Sequence, residues 1–390
     1  MKKVLLLTWY DNQNYGTSLQ ASSLSSIIKS PEITGLNYEL TDAWDCELLR
    51  HRPVRSVSKS RKLLKIFSLK TYKNKWGQLR DKRIIQNKRT QFELRKYAFD
   101  RFTTANFKFA TVEDCQTIES LTSATNGFDV VMSGSDQVWN PEALDPTYLL
   151  LWVPFDKKKV SYGSSLSIRE ILPEYTEIYK NALKSFSAIS IRDIECRQQL
   201  SEIAEKPVNT VVDPVILLGG KALKCRKENI SLPNAPYVFC YFLGNNSEHR
   251  KKAKEFADNN KMPLVSIIHC GSGYSADKEL EPFAIWDVNP NQFISCIDNA
   301  SIVFTDSFHA TVISTLLHTE FYVFEKDHQR PEQNTRIKEF LSLANLSERW
   351  EPMEINNHPI KNEDWLKSDV EIDVRRQESM DYLMGALSNE

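Results

Sequence analysis

Along most of the chain, short apolar runs alternate with stretches in which apolar residues recur every three or four positions. The first pattern predicts buried strands, the second helices with one face in a core. Lys3 to Trp9 reads as the opening strand. A polar loop with Asn12, Asn14 and Gly16 follows, and then a helix from Thr17 through Leu19, Leu24 and Ile27. Strands are expected again at Phe128 to Met132, Lys159 to Tyr162, Ser187 to Ile191 and Thr210 to Val212, with a helix over Glu174 to Lys184. The second half repeats the alternation more cleanly. Strands are expected at Tyr237 to Phe242, Leu264 to Ile268, Ile302 to Phe304 and Phe321 to Phe324. The intervening helices are Glu248 to Asp258, Pro290 to Asn299 and His309 to Leu317. Pro290 after Asn289 is a helix start, since proline suits the first helical position.

Such alternation implies right-handed βαβ units and parallel sheets. A chain of 390 residues is too long for one ordinary core and comfortable for two. The expected fold is α/β, with Rossmann-like domains over residues 1–205 and 206–355 and a helical tail over 356–390. The Gly219-Gly220 pair and the polar stretch to Pro236 mark the crossing between domains. One segment departs from the alternation. Residues 50–107 form an insertion that is basic and dotted with aromatics, with Trp76, Leu79, Ile85, Phe92, Phe99 and Phe102 near helical spacing.

The net charge of −1 hides this asymmetry, because residues 50–101 carry 18 Lys or Arg against 3 Asp or Glu. Two readings fit so basic a run: a solvated helical face, or a surface resting on anionic lipid. Nothing else in the chain resembles a nucleic-acid module. Hydrophobic and charged shares of 41% and 26% are those of a soluble globular protein. No stretch approaches the ~20 apolar residues of a membrane span. Lys2 and Lys3 before Val4 to Leu7 superficially resemble a signal peptide, but the apolar run is too short and lacks a cleavage site. Seven cysteines are scattered singly, which points to reduced thiols in the cytoplasm. Neither they nor His, Asp and Glu gather at metal-ligand spacing, so no metal is expected.

Ligands of open α/β sheets bind beyond the carboxyl ends of strands, often at helix N-termini. Four segments fall there. Asn14-Tyr15-Gly16-Thr17 follows the opening strand, and Gly16 lets backbone approach a ligand. Gly134-Ser135-Asp136-Gln137-Val138-Trp139-Asn140-Pro141 follows the next, where Trp139 offers a flat face to a sugar ring or packs in a capped turn. Arg192, after the strand ending at Ile191, is placed to clamp a carboxylate or phosphate, or to pair with Asp193 at the surface. In Thr305-Asp306-Ser307-Phe308-His309, His309 falls in the first turn of a helix, where anions gather and an imidazole can move a proton.

Taken in order, these motifs resemble the polysaccharide pyruvyl transferase family from about Val4 to about Trp350. The resemblance rests on Asn14 to Ala21, Asp129 to Pro141, Lys159 to Ser165, Ser190 to Asp193, Val212-Asp213-Pro214, Asp306 to Thr311 and Asn334-Thr335-Arg336. It implies two Rossmann-like domains facing across a cleft, as in GT-B glycosyltransferases. It also implies transfer of a pyruvyl group from phosphoenolpyruvate to two sugar hydroxyls, as a cyclic ketal, in bacterial-type surface polysaccharide synthesis. By the same resemblance His309 is the general acid/base and Arg192 holds the donor. Ser307, Lys159, Arg330, Asn334 and Arg336 surround the donor phosphate. The acceptor, a sugar with or without a lipid carrier, falls to Asn14, Tyr15, Gly16, Ser135, Asp136, Gln137 and Trp139. No cofactor is expected beyond the donor itself. Two departures stand out: Ser307 replaces an arginine of some members, and Ser165-Leu166-Ser167 replaces a common Phe-Gly. The competing functions are a nucleotide-sugar glycosyltransferase and a non-catalytic sugar-binding protein of the same fold.

Overall fold

The apolar run at the start of the chain becomes strand β1 (Lys2–Leu7) in the computed structural model, which describes residues 1–39, 42–51, 88–268, 274–326, 332–352, 355 and 359–388. Helix α1 (Tyr15–Lys29) follows, two residues earlier than the apolar spacing predicts, because the Asn14 side chain caps it by accepting from the Thr17 N–H. Strand β2 (Trp44–Leu48) was not visible in the sequence pattern. Asp45 and Glu47 obscure its apolar character, and both are paired with Lys108. Helix α2 (Arg89–Asn106) is the described part of the basic insertion; residues 52–87 of that run lie outside the described residues.

Two compact units emerge. The first comprises Met1–Ser56, Thr103–Ala222 and Ile372–Glu390, the second Val57–Phe102 and Leu223–Glu371. In the first unit, helix α3 (Ile118–Ala124) leads to β3 (Val130–Ser133) and β4 (Lys158–Ser161). Helix α4 (Pro173–Leu183), β5 (Ile189–Ile191), α5 (Arg197–Ala204) and β6 (Val208–Thr210) follow. The strand order is β2-β1-β3-β4, all parallel, and the β5–β6 pair continues past β4 through the Val160–Ala188 bridge. Short helices α6 (Pro214–Leu218) and α7 (Gly220–Cys225) end this part of the chain.

The second unit repeats the arrangement with β7 (Val238–Phe242), α8 (Ser247–Asn259), β8 (Leu264–Ile268) and α9 (Pro290–Asp298). It continues with β9 (Ile302–Thr305), α10 (Phe308–Leu317), β10 (Phe321–Val323) and α11 (Glu332–Leu343). Its sheet runs β10-β9-β7-β8 and is parallel throughout. Counted from each unit's own first strand, both sheets therefore read 2-1-3-4. The topological switch lies between first and third strands, where ligands of doubly wound sheets bind. The last helix, α12 (Asn362–Ser388), starts in the second unit and ends in the first.

Each unit has its own apolar core. Leu5, Val131, Trp139, Phe186 and Ile191 belong to one, and Val238, Phe242, Phe304 and Phe324 to the other. Each large side chain withdrawn from water contributes about 1.5–3 kcal/mol. Helix α2 is anchored to the second unit by the buried Arg95 guanidinium, which donates to the carbonyls of Ile268 (3.0 Å), Trp286 (3.1 Å) and Ile285 (3.4 Å).

A buried ion pair joins three separate segments of the first unit. His51 places Nδ1 2.8 Å from the Cys115 carbonyl oxygen and Nε2 2.8 Å from the Asp145 carboxylate. Burial opposes the imidazolium, but the bonds to Asp145 and Cys115 outweigh it, and the His51 pKa is raised above its ordinary 6.5. A raised histidine pKa means that the folded state holds the proton more tightly than the unfolded chain. The stabilisation is then full below the unfolded pKa and lost as pH rises through the folded one. Urea unfolding of wild type should therefore show stability declining from about pH 6.5 upward, and His51→Gln should flatten that slope. An unchanged slope in the variant would assign it to other groups.

Candidate functional site

The first unit's switch point is built by the loops that leave β1 and β3. The Gly134 N–H donates to the Leu7 carbonyl (2.9 Å), and the Thr8 hydroxyl donates to the Ser135 carbonyl (2.9 Å). The two backbones are too close for a side chain at Gly134, whose added Cβ would lie 2.8 Å from the Thr8 Cβ. Asp136 follows with φ 75°, a left-handed conformation that non-glycine residues adopt only when their surroundings enforce it. Here they do. Its carboxylate accepts from the Thr17 hydroxyl (2.7 Å) and the Gln137 N–H (2.9 Å), and its carbonyl accepts from the Ser165 N–H (2.8 Å).

Arg192 arrives from the end of β5. Its guanidinium pairs with Asp213 and stands 3.7 Å from the Asp136 carboxylate, and its side chain is only 6% exposed. The surface pair with Asp193 is not formed. Asp193 instead accepts from the Ser165 hydroxyl and the N–H groups of Leu166 and Ser167, and so pins the serine-rich loop. Two carboxylates thus lie against the one guanidinium of Arg192.

Of the residues assigned to the acceptor, Asn14, Ser135, Asp136 and Gln137 gather around this switch point with Thr17. Asn14 caps α1, while Tyr15 and Gly16 are buried in its first turn. Trp139 requires a correction. It is fully buried, its indole N–H donates to the Tyr148 carbonyl (3.0 Å), and its ring meets Phe186 edge-on at 5.8 Å. The flat face expected for a sugar is packed in the core, because Val138 and Trp139 turn inward beneath the loop that Asp136 sets. Lys159 is also misplaced for phosphate binding beyond the strand ends. It lies early in β4, and its ammonium reaches Ser185, which precedes β5. Burial lowers its pKa.

The second unit solves the same problem with different partners. Asp306, directly after β9, is fully buried, and its two carboxylate oxygens accept from the N–H groups of Leu243 (2.6 Å) and Gly244 (2.8 Å), the residues that leave β7. Burial pushes its pKa above the ordinary 3.8, although these bonds and the Arg250 charge work against the shift. Arg250 holds the same loop by its carbonyls, donating to Gly244 (2.7 Å) and Asn246 (2.9 Å) while pairing with Asp277 at 2.6 Å. An added Cβ on Gly244 would lie 2.1 Å from the Lys326 carbonyl oxygen and 2.9 Å from Asp306, so only glycine fits.

Ser307, the departure from the family's arginine, is the N-cap of α10. Its side chain accepts from the Ala310 N–H at 3.4 Å, and His309 becomes the second residue of the helix. The imidazole meets the Phe308 ring edge-on at 5.1 Å, and the Arg336 guanidinium lies 5.4 Å from the same Phe308 ring. Asn334 is buried and ties down the end of β10, donating to Glu325 (3.1 Å) and accepting from the Lys326 N–H (3.0 Å). Thus Ser307, His309, Asn334 and Arg336 converge on one corner of the second unit, and Arg330 lies outside the described residues. Thr17, Asp213, Gly244 and Asp306 were not assigned roles from the sequence. Thr17, Asp213 and Asp306 stood inside recognised motifs, whereas a glycine after a strand, such as Gly244, carries little signal alone.

The burial of Trp139 is testable by stability. Trp139→Ala should cost about 3–5 kcal/mol in chemical denaturation, the range for emptying a large core site. Trp139→Phe, which keeps most of the packing, should cost less than half as much. Equal stability of wild type and alanine variant would return Trp139 to the surface.

Comparison with known proteins places this geometry. The sequence matches none of the curated proteins with which it was compared. Among solved structures, the UDP-GlcNAc 2-epimerase of Methanocaldococcus jannaschii superposes with a TM-score of 0.51 at 13% identity, covering 95% of this chain and 92% of that one. The UDP-GlcNAc 2-epimerase of Neisseria meningitidis bound to UDP-GlcNAc gives 0.46 at 12% identity, covering 96% and 99%. UGT89C1 of Arabidopsis thaliana gives 0.42 at 8% identity, covering 98% of each chain. At such identities the likeness concerns fold alone, and the fold is the expected pair of Rossmann-like units of GT-B type. The blocks around Asp136, Arg192, Asp213 and His309 all fall within residues 33–328, the part of the sequence that matches the family described as polysaccharide pyruvyl transferase. The match takes in most of the chain, and this protein belongs to the polysaccharide pyruvyl transferase family.

Proposed function

We propose that this protein transfers the pyruvyl group of phosphoenolpyruvate to two hydroxyls of a sugar, forming a cyclic ketal and inorganic phosphate in the synthesis of a cell-surface polysaccharide. The single observation carrying this reading is the position of His309 in the first turn of α10, against the Phe308 ring that the Arg336 guanidinium also meets. An imidazole at a helix N-terminus, with a guanidinium nearby, suits an anionic donor that must also be protonated.

In this scheme His309 gives a proton to the methylene carbon of phosphoenolpyruvate, and positive charge develops at the adjacent carbon. One sugar hydroxyl adds there, the carbon–oxygen bond to phosphate breaks, and the second hydroxyl completes the ketal. Two hydroxyl protons are released. One makes good the proton placed on the new methyl group, returning through His309, and the other leaves on phosphate. Arg336 and the amide groups of the first turn of α10 stabilise the departing phosphate. The family resemblance gives Arg192 a part in holding the donor, and Asp213 and Asp136 hold its guanidinium in one orientation. Asp136 and Gln137 meet the acceptor hydroxyls. Phosphoenolpyruvate is the donor substrate, and the scheme needs no cofactor.

Phosphate release from phosphoenolpyruvate, measured with a panel of galactose- and mannosamine-type acceptors, tests the reading. Acceptor-dependent release should fall ~10²-fold or more in His309→Ala, the usual worth of a positioned acid/base. No release with any acceptor, together with tight binding of a nucleotide sugar, would transfer the protein to the glycosyltransferases.

We place the protein in the cytoplasm, working at the inner face of the membrane through residues 50–101. Among the described residues no helix is long and apolar enough to cross a membrane. In α2 several cations already have partners: Arg89 pairs with Glu93, Lys96 with Asp100 and Arg101 with Asp287. Most of the remaining cations of the run fall within residues 52–87, outside the described residues. Vesicles with anionic lipid should sediment the protein at low salt and release it as salt rises. Failure to bind at low salt would remove the membrane from the proposal.

A further inference from the structure

The sheet of the first unit stops directing the chain just after β6. Val211 still donates to the Ile191 carbonyl (3.0 Å), but the following residues leave the ladder. What fixes them is α12. The Ser379 hydroxyl accepts from the Val212 N–H (2.9 Å) and donates to the Arg375 carbonyl (2.7 Å). Arg376, 8% exposed, donates to the carbonyls of Leu217 (3.2 Å), Leu218 (3.3 Å) and Thr34 (2.8 Å). It thereby closes the carboxyl end of α6. The fit leaves no space, since a Cβ on Gly219 (φ 84°) would lie 2.2 Å from the Arg376 Nη2.

Helix α6 is a single short turn of 5 residues, far below the length at which a helix holds itself together. Its other end is capped by Asp213, whose Oδ1 accepts from the Val215 N–H (2.9 Å) and whose Oδ2 pairs with Arg192. The position of that carboxylate thus depends on both ends of α6. One end is gripped by Arg376, and the residue before the cap is held by Ser379 and by the Tyr162 hydroxyl, which donates to the Val212 carbonyl (3.1 Å).

We infer that Arg376 and Ser379 of the C-terminal helix are positioning residues, which set the orientation of Arg192 through Asp213. The inference rests on the proposed reaction only in giving Arg192 a part in turnover. A connected path runs from α12 through α6, Asp213 and Arg192 to Asp136 and Thr17, and every link is a hydrogen bond or ion pair within the first unit. The tail is then a working part of the site rather than an appendage.

A double-mutant cycle tests this on the full chain, with acceptor-dependent phosphate release measured for wild type, Arg376→Ala, Arg192→Ala and the double variant. Contacting groups couple, so Arg376→Ala should lower turnover roughly ten-fold in the wild-type background and have little further effect once Arg192 is alanine. A purely structural role would give equal losses in both backgrounds, and that result overturns the inference. Hydrogen exchange supplies a readout independent of activity. Arg376→Ala should speed exchange over residues 188–193 and 211–219 and leave the second unit unchanged. If wild type releases no phosphate with any acceptor, the proposed reaction fails, and the exchange pattern alone decides the positioning role. Unaltered exchange at 188–193 then overturns it. Should Arg376→Ala fold poorly, Ser379→Ala removes a single hydroxyl, with its bonds to Val212 and Arg375, and is measured in the same way.

Discussion

Asp136 and Asp306 stand just beyond the third strand of their sheets and reach across to the loop that leaves the first strand. In a doubly wound sheet the chain departs these two strands in opposite directions, so their carboxyl ends are left with a gap and with unsatisfied backbone groups. A carboxylate is well suited to closing that gap, since it accepts several hydrogen bonds at once and charge-assisted bonds are strong. Asp136 takes the Thr17 hydroxyl and the Gln137 N–H, whereas Asp306 takes the N–H groups of Leu243 and Gly244. The rest of each candidate site is assembled around these groups.

The two units handle the buried charge differently. An isolated carboxylate inside a protein is costly, and the cost is met by a cation, by hydrogen bonds, or by both. In the first unit Arg192 lies between Asp136 and Asp213, so one guanidinium serves two acids. In the second, backbone N–H groups contact Asp306 directly and Arg250 grips the carbonyls of the same loop. This second solution demands close backbone approach, which is why Gly244 has no room for a side chain. His309 and Arg336 stand apart from that closure, both against the Phe308 ring. Ser307 contributes by starting the helix that carries His309, a task its hydroxyl performs and an arginine side chain would not.

Family and architecture bear on function unequally. Membership of the polysaccharide pyruvyl transferase family rests on the match over residues 33–328. The Rossmann-like pair, in contrast, serves a UDP-GlcNAc 2-epimerase as readily. The choice of reaction therefore depends on the side chains at the switch points, and the acidic, tightly bonded corner of the first unit differs plainly from the cation-bearing corner of the second.

The sequence by itself determined the parallel α/β class, the order of the strands from β3 onward, and the start of α9. All of these depend on neighbours a few residues away: alternation of apolar runs, and capping by Asn289. It also singled out Asp136, Arg192 and His309, because strand ends can be located from periodicity. Only the tertiary structure decided the rest. Strand β2 is secured by Lys108, which lies some sixty residues away and neutralises its two acids. Trp139 turned inward because Phe186 and Tyr148 enclose it, and Lys159 fell at the wrong end of β4 for a site beyond the strands. Arg192 found Asp213 and Asp136 rather than its neighbour Asp193. In each case the deciding partner is distant in sequence, and local patterning records a residue's preference for burial or hydrogen bonding but not which distant group will satisfy it.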